Sequence, residues 1–166
     1  RHTRYWRDWS SDVCSSDLSF ETYNYIYSKI KDFCKFYIPA IQKHKKLFLT
    51  RTTIGKRGIV NSNELHHTLE KNNISIIYGT ESLKDSFYYF NNATHICGYH
   101  GASFIKTLFC NENAKILELF SEKRPHNSVA TKCRHAKTWY SHGVPPLNEK
   151  HDVILDPELI LNFYNT

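Results

Sequence analysis

Short runs that are apolar on both sides alternate with helix-like stretches along most of this 166-residue chain, and few folds accept that order. Leu47-Phe48-Leu49-Thr50, Ile74-Ser75-Ile76-Ile77-Tyr78, Thr94-His95-Ile96-Cys97 and Lys115-Ile116-Leu117-Glu118-Leu119-Phe120 predict four strands. A strand apolar on both sides of its pleat needs cover on both faces, as in parallel sheets joined by helical crossovers. Between the strands, the spacing predicts a helix from about Ser62 to Lys71, with Leu65 and Leu69 inward. A second runs from Ser82 to Phe90, with Ser82 as N-cap and Asp85 in the first turn, and a short third ends at Phe109. Further on, the pattern predicts a helix near Asn127–Lys137, a strand at Thr138–Ser141 and a last strand around Val153-Ile154. Asp156-Pro157-Glu158 opens a terminal helix, Asp capping and Pro filling the first helical position. The expectation is one α/β domain over residues 46–166, a Rossmann-like parallel sheet with helices on both faces.

Upstream the pattern changes. Tyr23, Ile26, Tyr27, Ile30, Phe33 and Cys34 fall on one helical stripe that stops before Pro39, so residues 19–45 read as a helical lead-in. Residues 1–18, RHTRYWRDWSSDVCSSDL, follow neither period and hold two of the three Trp. They resemble translated sequencing adapter and are expected outside the fold. The chain begins at Arg1 and contains no Met, which suits a piece of a longer protein.

The net charge is +6, with a pI near 9.0. Three Arg and three Asp cancel inside residues 1–18, so the excess belongs to the remainder. Such a balance favours anionic partners, whether phosphate, nucleic acid or a membrane surface touched peripherally. Nucleic acid is not expected, because the aromatics sit mainly at core-like spacings rather than along one basic face. Cys34, Cys97, Cys110 and Cys133 form no CxxC pair, and Cys97 reads as a small buried hydrophobe. No HExxH occurs, and His66-His67 are adjacent on a helix with diverging side chains. No metal or resident cofactor is expected.

In open α/β sheets ligands collect at the carboxyl ends of the strands, which gives a physical filter for candidate residues. It selects Arg51 and Arg57 after the first strand, Gly98 to Ser103 after the third, and Glu118 in the fourth. In Gly98-Tyr99-His100-Gly101-Ala102-Ser103 the small residues permit a close approach to backbone amides at a helix start, a place suited to a diphosphate. Glycines at such turns also serve simple chain reversal. His100 could donate to a phosphate or sugar hydroxyl, or satisfy a nearby carbonyl. Arg51 and Arg57 suit a bidentate clamp on phosphate oxygens, though a solvated basic loop would carry arginines too. Glu118 could accept from ribose hydroxyls, or pair with Lys115 or Lys123.

Taken in order, these segments resemble glycosyltransferase family 61. The resemblance rests on Leu47-Phe48-Leu49-Thr50-Arg51, Arg57-Gly58-Ile59-Val60-Asn61 with Glu64-Leu65, and Ser82-Leu83 through Asn92-Ala93. It continues in Gly98-Tyr99-His100-Gly101-Ala102 and Ile116-Leu117-Glu118-Leu119, covering about Lys46 to Tyr140. Ser103 stands where a smaller residue is usual, and Lys106 replaces an Asn. The resemblance implies the C-terminal, donor-binding half of a GT-B enzyme, whose N-terminal partner domain is missing here. It implies a nucleotide-sugar donor, a glycan or protein acceptor, transfer with inversion and no metal. Arg51, Arg57, His100, Gly101, Ala102 and Ser103 would then face the donor diphosphate, and Asn61 and Glu118 its nucleoside or sugar. The general base is not assigned among these residues; the missing domain is its expected home. A noncatalytic nucleotide-binding module of the same fold stands as the alternative.

Overall fold

The computed structural model describes residues 45–51, 57–123 and 138–166, together with Tyr25, Ser28, Lys29 and Asp32. The strands are β1 (Lys46–Leu49), β2 (Ser75–Ile77), β3 (His95–Tyr99), β4 (Lys115–Ser121) and β5 (Thr138–Val144). The helices are α1 (Ser62–Lys71), α2 (Leu83–Asn92) and α3 (Pro157–Tyr164), with a 3-10 helix over Ala102–Phe109. All four strand pairings are parallel, in the order β2-β1-β3-β4-β5. The chain moves outward from β1 to β2 and then crosses back to β3, so the winding reverses between β1 and β3. That reversal opens a crevice at the carboxyl ends of those two strands.

Strict alternation along the strands divides the core into two layers. Phe48, Cys97, Tyr99, Leu117 and Leu119 face α1 and α3, meeting Leu65, Leu69, Ile160, Phe163 and Tyr164. Leu47, Leu49, Ile96 and Ile116 face the other way, meeting Phe87 and Phe90 of α2 and Phe104 and Phe109 of the 3-10 helix. Both sides are covered, as expected of an α/β Rossmann-like sheet. Two helix starts follow the chemistry of their caps. The Ser82 hydroxyl accepts from the Asp85 N–H at 3.1 Å, and the Asp156 carboxylate from the Glu158 N–H at 2.9 Å.

Two local expectations are corrected and a third is refined. β3 continues through Gly98 to Tyr99, because Gly98 packs directly on Leu49: a Cβ there would lie 2.5 Å from the Leu49 Cβ and 2.7 Å from its carbonyl oxygen. The short helix ending at Phe109 is present, and it is 3-10. In that geometry residues three apart eclipse, so Ser103 and Lys106 both face the loop after β2. Val153-Ile154 is not a sheet strand. Val153 makes one isolated parallel bridge to Ile59, while Ile154 is exposed. The helix expected at Asn127–Lys137 and residues 1–18 lie outside the described residues. Of the lead-in helix only Tyr25, Ser28, Lys29 and Asp32 are described; they are helical and exposed, all off the apolar stripe.

Candidate functional site

The crevice between β1 and β3 is built from their first residues beyond the pairing. The His100 N–H donates to the Leu119 carbonyl at 2.6 Å, tying the turn to β4. Gly101 follows in fully extended backbone (φ 176°), open to any residue on conformational grounds. Its requirement is space. The Arg51 guanidinium lies against it, so that a Cβ on Gly101 would overlap the Nη1 atom and come within 3.2 Å of Cζ. The same Nη1 donates to the His100 carbonyl at 3.0 Å. Arg51, 49 residues from His100 in the chain, thus forms one unit with His100 and Gly101. The first bond inside the 3-10 helix runs from the Phe104 N–H to the Gly101 carbonyl, so the Ala102 and Ser103 amides come before it, at the positively polarised helix start.

His100 has a second anchor. Its Nδ1 lies 2.6 Å from Oε1 of Glu118, and the other carboxylate oxygen accepts from the Trp139 indole N–H at 3.3 Å. The Glu118 side chain is 0% exposed, whereas that of His100 retains 22%. Glu118 therefore does not sit on the crevice surface, as a ribose ligand would. It lies beneath the imidazole. A carboxylate without solvent needs such partners, since burying it unpaired would be costly.

Arg57 reaches the carboxyl end of the sheet by another route. Its N–H donates to the Lys150 carbonyl, and its backbone is left-handed (φ 63°). The next residue, Gly58, donates its N–H to Oδ1 of the buried Asp152 at 2.7 Å. Asn148 holds Oδ2 of that carboxylate at 3.0 Å. Residues 57–60 and 148–155 thus lace together into a strap, which the Tyr99 hydroxyl joins by donating to the His151 carbonyl at 2.8 Å. Asn61 is consumed in the same lacing. Its amide donates to the Leu155 carbonyl at 2.8 Å and accepts from the Leu155 N–H at 3.1 Å, so its side chain serves as a staple rather than facing a nucleoside.

Ser103 and Lys106 bind the 3-10 helix to the turn after β2. Gly79 there has φ +84°, and a Cβ on it would lie 2.5 Å from the Ser103 hydroxyl. Lys106 donates to the Gly79 carbonyl at 3.0 Å and to Glu81 at 3.1 Å. Burial works against the Glu81 carboxylate. Even so, backbone N–H groups and the Lys106 ammonium together hold its pKa below the ordinary value. Lys106, the departure from the family pattern, thus fixes one wall of the crevice. On the opposite face of the sheet the Thr50 hydroxyl meets Nε2 of His66 at 2.7 Å. Burial lowers the His66 pKa despite the opposing charge of Glu70. His67 is exposed on the same helix.

Sequence reasoning therefore found Arg51, His100 and Gly101 as a group, but missed Trp139, Asn148 and Asp152. Only the Asn148–Asp152 spacing, a polar turn ahead of an apolar Val153, offered a signal. Cys97 and Cys110 are buried, and burial drives the Cys97 thiol far up, out of reach of ionisation. Among the described residues no three His, Cys, Asp or Glu side chains cluster as a metal site would require. No helix among them is long and apolar enough to cross a membrane.

A parallel sheet wound in this order, with helices on both faces and Arg51 beside the 3-10 helix start at the reversal point, has the form of an α/β Rossmann-like domain. The family model described as Glycosyltransferase 61 matches residues 12–117, nearly two thirds of the chain, and the chain belongs to glycosyltransferase family 61. It is accordingly a glycosyltransferase sequence. The match begins inside the compositionally distinct residues 1–18 and ends one residue before Glu118. No curated protein matches the chain.

Proposed function

We propose that this chain is the donor-binding half of a GT-B glycosyltransferase and that it holds a nucleoside diphosphate-sugar at the β1/β3 crevice. The observation that carries this reading is the Arg51 guanidinium laid against Gly101 and hydrogen-bonded to the His100 carbonyl. A cation is thereby held beside the start of the 3-10 helix, whose first internal bond is made only by the Phe104 N–H. Arg51, Arg57, His100 and the amides of Gly101, Ala102 and Ser103 would take the diphosphate oxygens. They would stabilise the charge that builds as the sugar–phosphate bond breaks, without a metal. The sugar would pass to a glycan or protein acceptor with inversion, the acceptor hydroxyl being deprotonated by a base on a second, N-terminal domain. On this reading the isolated chain binds donor but does not turn it over.

Calorimetric titration with a panel of nucleoside diphosphates tests the reading. At least one should bind the native chain, and Arg51→Ala should weaken it by roughly thirtyfold or more, the loss of one charge-assisted contact of about 2 kcal/mol. Equal binding by the native and Arg51→Ala chains would overturn it.

A further inference from the structure

The buried carboxylate under His100 has a consequence that reaches beyond binding. We infer that Glu118, steadied by Trp139, is a positioning residue that fixes a proton on Nδ1 of His100 and turns Nε2 toward the diphosphate. This inference rests on the donor-site reading above.

The chemistry follows from donor and acceptor capacity. An ionised carboxylate only accepts, so the 2.6 Å contact from His100 Nδ1 to Glu118 Oε1 requires the proton on Nδ1. The indole N–H of Trp139 only donates, and it occupies the second carboxylate oxygen at 3.3 Å. The backbone N–H bonded to Leu119 and the carbonyl bonded to Arg51 fix where the side chain starts, and the Glu118 contact fixes how the ring turns from there. Nδ1 is taken by the 0%-exposed carboxylate, so a phosphate oxygen reaching this side chain, which retains 22% exposure, would meet the ring at Nε2. A phosphate oxygen arriving at Nε2 would favour a second proton, taken from solvent. The resulting imidazolium would be balanced from below by the Glu118 carboxylate. The donor to phosphate is then charge-assisted, and its direction is set before the ligand arrives.

Glu118→Gln separates this from mere packing, because it keeps size and shape. The Trp139 N–H retains the amide oxygen, which leaves the amide NH2 against Nδ1. The ring must then carry its single proton on Nε2, and an imidazolium would place two donors face to face. Nitrogen-15 NMR of histidine-labelled chain reads the tautomer directly, with His100→Asn identifying the signal, and inorganic pyrophosphate serves as the binding probe. The expected result is a protonated Nδ1 in the native chain, Nε2 shifting on pyrophosphate addition, and the opposite tautomer in Glu118→Gln. Pyrophosphate should bind that variant at least roughly tenfold more weakly, as for a lost charge-assisted contact. If His100→Asn weakens binding but Glu118→Gln does not, the positioning role is overturned while the donor site stands. If the native chain fails to bind pyrophosphate, both are overturned; if it binds and His100→Asn leaves that binding unchanged, the inference falls while the Arg51 reading stands. Should Glu118→Gln fail to fold, a bare Nδ1 in the native chain would by itself overturn the inference.

Discussion

Alanine at Gly101 and alanine at Gly98 both add one methyl group beside the same crevice, yet they should fail in opposite ways. At Gly101 the backbone is extended and tolerates a side chain, and the obstruction is the far end of Arg51. A flexible guanidinium can rotate into solvent, so the cost to folding is at most its hydrogen bond to the His100 carbonyl. A charged hydrogen bond contributes about 1.5–3 kcal/mol when buried, and Arg51 is only half-buried, so roughly 1 kcal/mol is expected. The displaced cation no longer faces the crevice, and donor affinity should fall by about thirtyfold, near 2 kcal/mol. At Gly98 the added Cβ meets the Leu49 Cβ at 2.5 Å and its carbonyl oxygen at 2.7 Å, atoms held by the β1–β3 ladder. Nothing there can rotate away, so strands must separate, at a cost of about 3 kcal/mol or more. Urea denaturation of both variants, with nucleoside diphosphate titration of the folded fraction, measures the two effects. Equal destabilisation by both substitutions, or unchanged affinity in Gly101→Ala, would refute this division of roles.

Three further outcomes are expected. Asp152→Ala removes the acceptor of the buried Gly58 N–H and should lower stability by about 2–4 kcal/mol in urea denaturation; it should weaken donor binding as well, because the Arg57 backbone loses its anchor. Burial lowers the pKa of His66 and of His95, the latter aided by Lys115 and Lys46, below the ordinary 6.5. The unfolded chain therefore binds protons that the native chain resists, and stability should fall as pH drops from about 7 toward 5; the urea midpoint followed against pH checks this, and His95→Phe should flatten the slope. Arg57→Lys should recover only part of the donor affinity lost in Arg57→Ala, since an ammonium cannot reproduce the bidentate fork; calorimetry on the two variants decides it.

What the sequence disclosed and what it withheld divide along physical lines. Apolar runs such as Leu47–Leu49 and Ile116–Leu117 announce strands because burial on both faces leaves no room for polar residues. Ser82 and Asp156 announce helix starts because capping is a local hydrogen bond. Arg51 and Gly101 were legible as candidates because sheet topology sends every strand end to one edge. The pairing between them was not legible, for nothing local in either segment encodes the guanidinium lying in the place of a missing Cβ. Glu118 shows the same limit. Its position in the chain is that of a ribose ligand, and only the three-dimensional closeness of Trp139 and His100 reveals a buried carboxylate. Asn61 likewise reads as a nucleoside or sugar ligand until Leu155, 94 residues away, occupies its amide. The 3-10 geometry of Ala102–Phe109 also escaped, because Ser103 and Lys106 are drawn to a partner, Gly79, that lies on another strand's turn.

The strap of residues 57–60 and 148–155 also bears on the order in which the molecule can be made. Synthesis runs from the N-terminus, and Arg57, Gly58 and Asn61 emerge long before the Asp152 and Leu155 that hold them. Until then the nascent chain can assemble β1 to β4 and seat Arg51 against Gly101, but the second arginine stays on a segment without its clasp. Closing so long a span is among the slower and later events a chain undertakes. A premature stop anywhere before Asn148 would therefore disarm a residue encoded some ninety codons earlier, while leaving much of the sheet capable of forming.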